Sequence, residues 1–220
     1  MDNKSENPER PSLAFIELTS DLFVGRGLHK ECYRYPGRPN LCIKIAYNEE
    51  GIDDLVSEAR YREVISKKNL DYSVLPDYYG TVKTNKGTGY VYEFVIDYDG
   101  NISITVEDIL KDAARFEQHF DCLIELLKQL RQDFFDKWII TKGLFPENII
   151  LQRTAPNKFR CRIINDMGTS TFIPLVYYFD YFARTHVERC WLRFTQHLED
   201  FHHNGNFPSP LVLELSRQIK

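Results

Sequence analysis

Cysteine is scarce in this chain, and what there is lacks pattern. Five cysteines are spread over 220 residues with no C-x-x-C pair. That spacing excludes a zinc ribbon or a disulfide framework and suits a reducing compartment, so a cytoplasmic protein is expected. Long apolar runs are absent too, and nothing approaches the roughly 20 residues of a membrane span. The opening MDNKSENPERP is polar, without the apolar stretch of a signal peptide, and residues 1–11 are expected to form a short disordered tail. Neither charge dominates: 28 Lys and Arg against 32 Asp and Glu give a net charge of −4, with no basic stripe for nucleic acid. There are no repeats. What remains is 43% hydrophobic and 14% aromatic, enough for a packed core rather than a disordered chain.

The organisation changes once along the chain. Extended, β-favouring runs are predicted at residues 13–18, 22–24, 31–35, 41–47, 78–82 and 89–95. Gly25-Arg26-Gly27 breaks the second, and the turn formers at 36–40 and 85–87 give hairpins. One helix, Asp53 to Lys68, interrupts the strands. From Ser103 the pattern is helical: Ile104 to Ala114, then Arg115 to Lys137 with Phe120, Leu123, Leu127, Leu130 and Phe134 at steps of three and four. A short strand at 161–164, a long helix or helix pair over 177–203 and a last helix over 211–219 complete the reading. The switch from β to α falls near Asp97-Tyr98-Asp99-Gly100. The fold class is α+β, with a β-rich part at 12–96 and a helical part at 97–220 in a single domain.

Several residues carry possible chemistry. Gly25 and Gly27 stand in a turn whose backbone could approach phosphate, with Lys30 beside them, although hairpin glycines alone explain such a pattern. Arg26, His29, Lys30 and Lys44 crowd the same third of the chain, a hint of an anion site. Lys44 lies among apolar neighbours in Leu41-Cys42-Ile43-Lys44-Ile45, and Glu58 follows in the predicted helix. Glu63 is the competing carboxylate, and the residues favour Glu58 without deciding it. Further on, Pro146-Glu147-Asn148 is followed eighteen residues later by Asp166-Met167-Gly168. An amide oxygen and a carboxylate at two hairpin ends are hard ligands suited to Mg²⁺ or Mn²⁺. The paired His202 and His203 read as an exposed helix end, and no cysteine has a catalytic partner in sequence.

Taken in order, these features resemble a protein kinase: glycine turn, strand lysine, helix glutamate, loop asparagine and D-x-G. More specifically, Cys-Tyr-x-x-Pro at Cys32, Cys-Ile-Lys-Ile at Cys42, Tyr-x-Gly-Thr-Val at Tyr79, Gly-Thr-Gly-Tyr-Val-Tyr-Glu at Gly87, Asp-Gly-x-x-Ser-Ile-Thr at Gly100 and Pro-Glu-Asn-Ile at Pro146 resemble the bacterial YrbL family. Its members are called PhoP regulatory network proteins. The resemblance runs from about Leu22 to Arg193.

It implies a two-lobed, protein-kinase-like fold with a short helical second lobe. Gly25, Gly27, Lys30 and Lys44 would contact ATP phosphates, Glu58 would orient Lys44, Glu93 to Val95 would face adenine, and Asn148 and Asp166 would hold Mg²⁺ or Mn²⁺. The catalytic triplet His-Arg-Asp becomes Thr141-Lys142-Gly143, so the base position holds Gly143, and Phe145 replaces a lysine. No A-P-E follows Gly168, with 52 residues left. The expected function is a nucleotide-binding regulatory protein with impaired phosphoryl transfer, pseudokinase-like, acting on an unidentified protein or small-molecule partner. The alternative is an active, atypical ATP-dependent phosphotransferase. On the impaired reading Gly143 is expected to leave room for a carboxylate, with none other in reach; on the alternative another residue, such as Glu147, stands near the acceptor.

Overall fold

The computed structural model describes residues 15–169 and 174–220, so the expected tail and the start of the first strand lie outside the described residues. The architecture is mixed α+β, divided into two compact units. The first takes in the chain to Leu55 together with Asp77–Phe94; the second takes in Val56–Pro76 and Val95–Lys220.

The first unit is a five-stranded antiparallel sheet, made of β1 (Phe23–Arg26), β2 (Lys30–Tyr35), β3 (Arg38–Ala46), β4 (Tyr78–Thr84) and β5 (Gly87–Glu93) in the order β1-β2-β3-β5-β4. The period of two along β3 sends Leu41, Ile43 and Ile45 to one face, where they pack with Tyr33, Tyr35, Val82 and Val91. Lys44 therefore points to the other face.

Three expectations shift here. Residues 13–18 do not yield a full strand among the described residues: Ile16 makes one isolated bridge to Thr84. Gly25 and Arg26 belong to β1, and the chain breaks at Gly27 instead. The turn at 36–40 is confined to Pro36-Gly37, because Gly37 takes φ of 72° and lets Tyr35 pair directly with Arg38.

Helix α1 (Glu49–Ile65) starts four residues before the expected Asp53 and ends three before Lys68. Asn48 explains the start: its Oδ1 accepts from Gly51 N at 2.9 Å, capping the first turn, and Glu49 and Glu50 favour the positive end of the helix dipole. Gly51 is there because nothing larger fits. A Cβ at that position would lie 2.3 Å from the His29 carbonyl oxygen. Alanine normally stabilises a helix over glycine. Here Gly51→Ala is expected to cost about 1–3 kcal/mol through overpacking against backbone, read as a lower thermal midpoint. An unchanged or higher midpoint would refute the close approach.

The second unit holds a three-stranded sheet, β6 (Ile104–Thr105), β7 (Ile149–Ala155) and β8 (Lys158–Ile163), in that order. Its helices are α2 (Val106–Lys111), α3 (Ala113–Asp136), α4 (Asp180–His203) and α5 (Leu211–Ile219). The helix expected over 104–114 is shorter because Thr105 and Asp108 form a capping box at its start. Asp112, extended at φ −105° and ψ 101°, ends α2 and caps α3. The stripe of α3 is core, as expected, with Leu123, Leu127, Leu130 and Phe134 buried and Phe120 half-buried. Among the described residues no helix is long and apolar enough to cross a membrane.

Candidate functional site

In the second unit, β7 and β8 form a hairpin whose two open ends bring Asn148 and Asp166 together. Pro146–Asn148 is a turn of 3-10 helix leading into β7, and Ile164 N donates to Asn148 O at 3.0 Å just beyond β8. Asn148 Nδ2 then donates to Asp166 Oδ2 at 2.7 Å, while Asn165 Nδ2 donates to Asn148 Oδ1 at 3.3 Å. The two residues expected to hold a divalent ion are thus in direct contact.

Asp166 sits in the left-handed region, at φ 60°. That conformation costs free energy for a residue with a Cβ, though least for Asp and Asn, and persists only where the surroundings enforce it. Several bonds enforce it here. Asp166 N donates to Glu58 Oε1 at 3.2 Å, and Asp166 O accepts from Lys142 N at 2.7 Å. One residue on, Met167 bridges Thr141, and Gly168 N donates to Ile140 O at 2.8 Å. Gly168 has φ of 86° and is boxed in, since a Cβ there would lie 2.8 Å from Tyr177 Oη and 3.0 Å from Ser57 O. Glu58 is fully buried and Glu63 is exposed, so the helix turns the favoured carboxylate inward, onto the Asp166 backbone.

The strand-like segment Ile139–Lys142 is itself anchored. Ile140 N donates to Tyr61 Oη at 3.0 Å, and burial pushes the Tyr61 phenol well up, so it stays protonated. His186 Nε2 donates to Thr141 O at 2.7 Å, which fixes its tautomer, and Cys190 Sγ lies 3.6 Å from the same oxygen. Burial is the main cause holding His186 below its ordinary pKa, and burial likewise raises the Cys190 thiol. The Cys190–His186 contact of 3.4 Å therefore joins a buried thiol to a committed imidazole, and it is not a nucleophile pair.

At Gly143 the structure corrects the expectation of open space. A Cβ on Gly143 would meet Phe145 Cε2 at 2.4 Å and Cζ at 2.9 Å. The Phe145 ring fills the room that a side chain at 143 needs. The expectation that no other carboxylate is in reach also fails, because Asp200 of α4 lines the same cavity as Gly143. Nothing in the local sequence signals this; α4 arrives through tertiary packing.

The first unit holds the remaining expected residues. Gly25 pairs with Cys32 across β1 and β2, and Gly27 N donates to Lys30 O at 2.8 Å. A Cβ at Gly25 would meet nothing within 4 Å, and at Gly27 only Lys30 O at 3.8 Å, so internal packing does not demand glycine at either place. The turn is tied down by Tyr47, whose hydroxyl donates to the carbonyls of Gly27 and Leu28 while its ring lies 4.0 Å under the Arg26 guanidinium. Lys30 Nζ is 3.6 Å from Asp54 Oδ2, so this cation already has an anion beside it. Lys44 is 8% exposed, with its ammonium 4.6 Å from the Tyr92 ring centroid. On the same face, the Cys42 thiol, and then the Lys44 and Arg34 charges, pull the Cys32 thiol down. Glu93 is half-buried and accepts from Asp77 N through Oε2 at 3.2 Å. Val95, in the second unit, is buried.

The chain is mixed α+β, and its candidate site sets Asp166, at positive φ, against the Asn148 amide. Its family is a matter of sequence. The family model described as PhoP regulatory network protein YrbL matches residues 16–199. The chain is also 35% identical over 181 residues to the protein printed as uncharacterized protein YrbL of Escherichia coli strain K12, which covers 81% of this chain and 86% of that one. The same figures hold for the Shigella flexneri protein of that name. The chain belongs to the YrbL family.

Proposed function

We propose that the chain binds ATP with Mg²⁺ or Mn²⁺ and acts as a kinase-like regulatory protein whose phosphoryl transfer is impaired. The observation that carries this reading is the Asn148–Asp166 pair, with Asp166 held at a positive φ by Glu58 and Lys142. A loop asparagine and the aspartate of a D-x-G turn are the metal-holding residues of protein kinases, and Lys44 stands on the third strand, where kinases carry their phosphate lysine.

The donor set fits the ion. No group of three or more His, Cys, Asp or Glu lies together among the described residues, which argues against zinc, whereas Mg²⁺ needs only one or two protein oxygens beside waters and phosphates. Asn148 presents its amide N–H to Asp166, and turning the amide over would offer Oδ1 in its place. A divalent ion held there supplies charge neutralisation for the phosphates. Glu58 keeps the Asp166 backbone in place, and Gly25, Gly27, Lys30, Lys44, Glu93 and Val95 are the residues for nucleotide. The family's printed description, a regulatory network protein, supports regulation rather than a metabolic role, and the chain is placed in the cytoplasm on its cysteine usage.

A second reading, an active atypical phosphotransferase, is favoured by one observation: a histidine and Asp200 share the cavity at Gly143, where another base could stand. ATP turnover in Mg²⁺ or Mn²⁺ separates the two. For nucleotide binding itself, displacement of a fluorescent ATP analogue is the test. Lys44→Met is expected to weaken ATP by about tenfold or more, the scale of one charge-assisted contact. An unchanged affinity would remove Lys44 from the site.

A further inference from the structure

The open pocket beside Gly143, in the second unit, has a volume of about 240 Å³. Its wall carries two cations, Lys142 and Arg193, one amide, Gln196, one carboxylate, Asp200, and the rings of Phe145 and His197. His197 is the most telling member. Its ring stacks on Phe201 at 3.9 Å between centroids and meets the Phe145 ring edge-on at 5.4 Å, so its plane is fixed. Yet its ring nitrogens make no hydrogen bond to any described residue. A half-buried imidazole held in place, with its polar atoms unspent, is one that a ligand can use.

We propose that this cavity binds a small hydroxylated anion, a sugar phosphate or sugar acid, through its charged, amide and aromatic walls. Lys142 and Arg193 neutralise the anionic group, and an arginine fork suits either phosphate or carboxylate. Gln196, Asp200 and His197 exchange hydrogen bonds with hydroxyls, a set with both donors and acceptors. The flat rings of Phe145 and His197 offer surface to the carbon skeleton. Asp200 repels an anion but accepts from a hydroxyl, which is why the ligand needs both kinds of group. Burial is the main cause holding His197 below its ordinary pKa, against the pull of Glu147, Asp200 and Glu107, so near neutral pH its ring can both donate and accept. The volume of about 240 Å³ admits a molecule of hexose-phosphate size. The site does not depend on ATP binding and would stand if that reading fell.

The test uses the full chain with ring-labelled histidine, six residues in all, and follows the His197 signals by NMR. Glucose 6-phosphate and gluconate are the two probes, with glucose and inorganic phosphate as controls, all without nucleotide. Saturable shifts at His197, but not at His119 on α3, are expected with at least one probe. Whichever probe binds more tightly identifies the anion as phosphate or carboxylate. Arg193 is exposed on α4, so Arg193→Gln leaves the fold intact and is expected to weaken the bound probe by about tenfold. Phe145→Leu should weaken it independently. Equal binding of glucose would overturn the anion assignment, and equal binding of inorganic phosphate would overturn the sugar part. No saturable shift with either probe, or no loss in either variant, would overturn the site.

Discussion

Asp166→Asn is expected to remove magnesium-dependent ATP binding while leaving the fold in place. Asparagine adopts the left-handed backbone at 166 about as readily as aspartate. Its amide oxygen can still accept from Asn148 Nδ2, and the backbone bonds to Glu58 and Lys142 are untouched. Stability should therefore change by less than about 1 kcal/mol, as urea melts would show. What disappears is the negative charge that a hard divalent ion requires. Affinity for ATP in Mg²⁺ should fall by about a hundredfold, close to 2.7 kcal/mol, and the difference between titrations with and without the ion should vanish. Alanine would be a poor substitute, because the positive φ would then add strain of its own. A variant that keeps magnesium-dependent binding would place the ion elsewhere.

The second large effect concerns Gly143. Gly143→Asp alone is expected to lower stability by about 1–3 kcal/mol and to give no phosphoryl transfer, since Phe145 Cε2 stands 2.4 Å from the new Cβ. Phe145 cannot yield freely, because its ring is packed edge-on against His197. Pairing Gly143→Asp with Phe145→Leu opens that space. On the impaired-kinase reading the double variant should regain stability and raise ATP-dependent transfer or hydrolysis by about 10²-fold or more, the contribution of a general base. Brisk turnover by the wild type that falls in the double variant would reverse the reading and point to His197 or Asp200 as the base.

Much of this site was legible because local strand and turn patterns along one chain set its residues. The hairpin that joins Asn148 to Asp166 follows from the apolar run and the turn between them, and their contact is the one expected. The alternation around Lys44 put it opposite Ile43 and Ile45 for the same reason: a strand has a period of two. The limits of α5 fell at 211 and 219 as read, where prolines precede an apolar, strongly one-sided run. The misses have physical causes as well. Asn48 starts α1 by a side-chain cap that periodicity does not register, and the Thr105–Asp108 box shortens α2 in a pattern that could have been read from T-x-x-D. Phe145 over Gly143 could not have been read. Two residues apart in a loop, their contact depends on backbone angles and on a ring presented by α4, more than fifty residues away. His197 and Asp200 were missed because they arrive by that same packing.

The central claim, that the chain binds a magnesium nucleotide, is met most directly by thermal melting of the intact wild-type protein. Three conditions suffice: no ligand, millimolar ATP with excess chelator, and millimolar ATP with MgCl₂. A ligand at about 100 times its Kd stabilises the folded state by roughly 2.7 kcal/mol, a rise of several degrees. The expected result is a clear upward shift with ATP and MgCl₂, and a smaller one or none in chelator. An unchanged midpoint in all three conditions, for a protein that melts cooperatively, would contradict it.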